Sequence, residues 1–62
     1  MNIAIQTDDE LVMFYTDGGI ERAKEVCEKS NLTVEDIYEI RDDEMEYYCF
    51  DSRVYDSNLS NK

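Results

Sequence analysis

Residues 17–31 run Asp17-Gly18-Gly19-Ile20-Glu21-Arg22-Ala23-Lys24-Glu25-Val26-Cys27-Glu28-Lys29-Ser30-Asn31. Two glycines break the chain at one end, and Ser30-Asn31 stops it at the other. Between them the apolar side chains Ile20, Ala23, Val26 and Cys27 recur at helical spacing and share one face. Glu21, Glu25 and Glu28 lie on the opposite face, flanked by Arg22, Lys24 and Lys29. Glu25 and Lys29 form a supportive i, i+4 pair, and Glu21 and Glu25 a repulsive one. Asp17 suits the positive end of the helix dipole and Lys29 the negative end. The stretch predicts one amphipathic helix over residues 20–30.

Upstream, Ile3-Ala4-Ile5-Gln6-Thr7 alternates and is rich in β-branched residues, which predicts a strand. Leu11-Val12-Met13-Phe14-Tyr15-Thr16 is a second short apolar run, and Asp8-Asp9-Glu10 would be an acidic hairpin tip between them. Downstream, residues 36–41 read as a strand; a short helix opened by Thr33 with Asp36 is the competing reading. Asp42-Asp43-Glu44 reads as a turn, and Met45–Asp51 as a strongly aromatic strand. From Ser52 onward the chain is polar. The expected fold is α+β in the order ββαββ: a four-stranded antiparallel sheet with one helix on one face. Residues 1–56 would form the single compact domain and 57–62 a flexible C-terminal tail. Thr7–Tyr15 and Arg41–Cys49 each run from an acidic tip into an aromatic segment, which suggests a pseudo-repeat of two hairpins.

Charge dominates the composition. Sixteen Asp and Glu face six Lys and Arg over 62 residues, a net charge of −10. Yet 42% of the chain is hydrophobic, too much for a disordered acidic tail. A fold this small buries only about 60% of its unfolded surface, and the self-repulsion weakens it further. The core should be thin, and a homodimer is one way to deepen it. Binding to nucleic acid or to an anionic membrane is disfavoured, because phosphates would be repelled.

Histidine is absent. That removes the usual general base and the commonest metal ligand. No Ser-His, Cys-His or phosphate-loop pattern occurs, and a chain this short has little room for a pocket of about 300 Å³ beside its core. No catalytic residue, metal ligand or cofactor is assigned. Cys27 and Cys49 are expected as free, buried thiols, with a disulfide between them the alternative. Met1-Asn2-Ile3 has no basic region followed by an apolar run, so no signal peptide is expected. A cytoplasmic location follows.

Partner binding is the chemistry left. Glu21, Glu25 and Glu28 form a row on the helix, rising about 6 Å per four residues. Asp8, Asp9 and Glu10 crowd one tip, and Asp42, Asp43, Glu44 and Glu46 crowd another. Such spacings are near that of successive phosphates, so a groove that neutralises nucleic acid would attract them. Tyr47 is placed on the far side of its strand from Tyr48 and Phe50, as an aromatic contact among carboxylates. The ordinary alternative is a set of solvated acidic turns.

In size, charge, helix-plus-sheet order and the runs Asp8-Asp9-Glu10 and Asp42-Asp43-Glu44, the chain resembles small acidic virus-encoded inhibitors of bacterial proteins, such as anti-CRISPR proteins and other DNA mimics. The resemblance is one of general character over the whole chain, and no motif transfers individual residues. It implies stoichiometric blocking of a basic nucleic-acid-binding protein or ribonucleoprotein in a host cytoplasm. Two other classes remain open: an acidic adaptor or regulatory protein, and an antitoxin or immunity protein directed at a basic nuclease.

Overall fold

The computed structural model describes residues 1–56. The elements are β1 (Asn2–Thr7), β2 (Leu11–Tyr15), α1 (Gly19–Lys29), β3 (Val34–Ile40), a 3₁₀ segment (Asp42–Tyr47) and β4 (Ser52–Tyr55). They form an α+β domain in ββαββ order, with sheet order β3-β1-β2-β4. The predicted tail, 57–62, lies outside the described residues.

β1 is antiparallel to both β2 and β3, so those two run in the same direction. β4 pairs parallel to β2, which makes the sheet mixed rather than wholly antiparallel. Parallel strands cannot be joined by a tight turn and need a crossover. Two crossovers follow. Helix α1 carries the chain from β2 to β3 over one face. Residues 41–51 carry it from β3, at one edge, to β4, at the other.

Alternation sorts the side chains. Ile3, Ile5, Val12 and Phe14 meet Ala23 and Cys27 of α1 in the main core, with Ile20, Val26, Val34 and Ile37 packed around it. Burying one such large side chain contributes about 1.5–3 kcal/mol. Ala4 and Met13 point the other way, yet are 0% and 3% exposed. The second crossover covers them. Tyr48 lies 6.2 Å from Tyr38 and stacks on Phe50 at 5.6 Å between ring centroids. The molecule therefore has three layers: helix, sheet, and aromatic strap.

This strap corrects the expected strand over Met45–Asp51. Its aromatic residues cover the sheet and do not extend it. Alternation still holds locally, with Tyr48 and Phe50 half-buried and Tyr47 and Cys49 exposed. Cys49 is thus a surface thiol, against expectation, while Cys27 is buried, and neither is in a disulfide. The pseudo-repeat fails for the same reason, since only the first copy is a hairpin. The last strand is Ser52–Tyr55, where the sequence showed only polar chain. Residues 34–40 are a strand, so the competing helix is absent there.

Helix α1 ends as its sequence requires. Asn31 takes a left-handed φ of 58°. Its N–H reaches the Glu28 carbonyl at 3.2 Å, and the Leu32 N–H reaches Cys27 at 3.1 Å. These two bonds satisfy carbonyls that the helix end would otherwise orphan.

Candidate partner-binding surface

The acidic residues singled out in the sequence fall in three separate places. Asp8, Asp9 and Glu10 sit at the β1–β2 tip, where Gln6 pairs with Leu11. Thr7 fixes that tip. Its buried hydroxyl accepts the N–H groups of Asp9 (3.2 Å) and Glu10 (3.0 Å), and its own N–H donates to the Glu10 carbonyl at 2.9 Å. The turn is self-satisfied, so both aspartates point into water. A half-open cleft of about 420 Å³ separates the tip from Asn31, Leu32 and Thr33 after the helix.

Asp42, Asp43, Glu44 and Glu46 lie at the opposite end of the sheet. There the Asn2 side chain donates to the Asp42 carboxylate. The Glu44 carboxylate accepts the Arg41 N–H at 3.0 Å and so closes the first 3₁₀ turn. Arg41 also pairs with Asp43 at 3.2 Å, so part of this negative charge is locally compensated. Tyr47 is 80% exposed beside these carboxylates.

Glu21, Glu25 and Glu28 remain exposed on the outer face of α1, as expected. They lie across the sheet from the 3₁₀ segment, so the two rows cannot contact one flat surface together. Glu25 is neutralised by Arg22 at 2.9 Å and by Lys29 at 3.6 Å. The Arg22 hydrogen bond, followed by the Lys29 charge, holds the Glu25 carboxyl below its ordinary range.

The sequence reading missed a fourth set. Glu35, Asp36 and Glu39 project from β3, an edge strand, and all three are exposed. None forms an ion pair among the described residues. At the strand rise of about 3.3 Å per residue, they spread over about 13 Å and lead on to Asp42 and Asp43. Three carboxylates in a strand that also carries Val34, Ile37, Tyr38 and Ile40 were the available signal, since charge concentrated on a strand marks an edge.

The Tyr15 and Tyr55 rings lie 6.0 Å apart on the strap side of β2 and β4. Among the described residues, no group of three or more His, Cys, Asp or Glu side chains is arranged to hold a metal ion, and no helix is long and apolar enough to cross a membrane. No family model, curated protein or solved structure matches the chain.

Proposed function

We propose that this chain is a non-catalytic acidic binder that blocks a basic surface on a protein or ribonucleoprotein that handles nucleic acid. The observation that carries the reading is the set Glu35, Asp36 and Glu39, spread over both faces of one sheet edge, exposed, unpaired by cations among the described residues, and held on a hydrogen-bonded strand. A carboxylate already paired to a neighbouring lysine offers little to a partner. An unpaired one keeps its full field and steers association with a positive groove. Rigidity matters as well, because a partner then loses no binding energy to ordering the strand. The hairpin tip and the 3₁₀ segment extend the negative field beyond the two ends of β3.

The test uses a nuclease-treated host lysate and the immobilised chain, followed by purification of any basic protein retained. The chain should lower that protein's affinity for its own nucleic acid. The triple variant Glu35→Gln, Asp36→Asn, Glu39→Gln should do so much more weakly. A retained protein that binds nucleic acid equally well with the chain present would point instead to an adaptor. A nuclease inhibited with its nucleic-acid binding intact would point to an immunity protein.

A further inference from the structure

We infer that the partner supplies an extended lysine- or arginine-bearing segment that adds to the outer edge of β3 as a fifth strand. The inference rests on the acidic-binder reading and specifies its geometry. β3 bonds to β1 along one side only, and its other side is the edge of the sheet. The Ile37 N–H does not point at β1. It donates to the carboxylate of its own neighbour Asp36 at 2.9 Å. Hydrogen-bonding direction alternates along an antiparallel strand, so the Glu39 N–H faces outward with it.

The Asp36 carboxylate therefore stands where an incoming carbonyl oxygen would accept. It satisfies one of the two outward N–H groups in the free chain, and side-chain rotation would release it. Charge selects the occupant. A second copy of this strand would set carboxylates against carboxylates, and like charges directly opposite are destabilising. A basic strand reverses that sign at each position. It would also free Asp36 to pair with an incoming cation. The other edge is less suited: β4 has four residues and carries Arg53, which would repel such a segment. Main-chain bonds would give affinity and the carboxylates specificity, as in other strand-addition complexes.

The probe is a short blocked peptide alternating lysine with valine, compared with the same peptide N-methylated at every residue. The two carry equal charge, but the second has no backbone donors. At low ionic strength, the first should shift the amide resonances of residues 34–40 and slow exchange at Ile37 and Glu39. The N-methylated form should bind about tenfold more weakly or worse, through loss of the main-chain hydrogen bonds. Equal binding of both peptides, or shifts confined to β4 or the 3₁₀ segment, overturns strand addition and leaves the acidic-binder reading standing. Failure of the lysine peptide to bind, or equal binding by a glutamate–valine peptide, overturns both.

Discussion

Arg22 grips Asp56 with two parallel hydrogen bonds, Nε to Oδ2 and Nη2 to Oδ1, both at 3.0 Å. The Thr16 hydroxyl adds a third, donating to Oδ2 at 2.6 Å while accepting the Gly18 N–H at 3.0 Å. One fork thus ties the end of β4 to the start of α1 and the end of β2. The Asp56 hydrogen bond, more than any other contact, raises the pKa of Arg22 above its ordinary value. Such bidentate pairing fixes orientation as well as charge.

The latch should fail at Gly18 as readily as at the charges. A Cβ there would lie 2.5 Å from the Arg22 Cβ, so Gly18→Ala must displace the arginine. Gly18→Ala and Asp56→Asn should each lower the urea midpoint, and the double variant should lose less than their sum. Thr16→Val should cost about 1–3 kcal/mol, because Thr16 is fully buried and its bonds to Asp56 and Gly18 are lost. Additive losses in the double variant would show that Gly18 acts independently of the fork.

The two thiols should behave differently. Cys27 is buried, and desolvation pushes its thiol above the ordinary range; Cys49 is exposed. Alkylation followed by mass spectrometry should find one modified cysteine, Cys49, under native conditions and two in denaturant. Rapid native labelling of Cys27 would contradict its place on the buried face of α1.

Phe50 is half-buried in the strap and stacked on Tyr48, outside the main core. Phe50→Ala should therefore cost about 1–3 kcal/mol, less than the loss typical of a core phenylalanine. Its signature is local: amides near Ala4 and Met13 should exchange faster. A stability loss at the full core value would mean that the strap holds the sheet together more than its burial implies.

The Glu25 pairs give a pH dependence of known sign. Its folded-state pKa is depressed, so its contribution is present above the ordinary carboxylate range and lost as pH falls through the folded value. Exposure keeps the effect small. Glu28→Gln is the control, since it relieves the same charge and Glu28 has no ion pair among the described residues. Glu25→Gln should melt below Glu28→Gln at neutral pH, and the gap should close in acid. A gap that persists in acid would assign it to packing.

Helix α1 and the β1–β2 hairpin were legible because local signals agreed: a 3.6-residue apolar stripe, left-handed Asn31 after the helix, and alternation around an acidic tip. The last third of the chain was not. Tyr48 and Phe50 carry strand propensity, but the sheet's second face needed a cover, and that tertiary demand outweighed propensity. β4 escaped notice because Arg53, Val54 and Tyr55 are exposed and its pairing with β2 is non-local. The negative charge was plain in the composition. Its distribution was not, because ion pairing separates Glu25 and Asp43 from Glu35, Asp36 and Glu39 only in three dimensions.

The central claim is that this chain occupies a site built for nucleic acid. The direct measurement is displacement: bind a captured basic partner to the immobilised chain, then add DNA or RNA oligonucleotide at constant ionic strength. Release that rises with oligonucleotide concentration, and is not reproduced by sulfate at the same ionic strength, is the predicted result. A partner that stays bound while it also takes up the oligonucleotide would contradict the account.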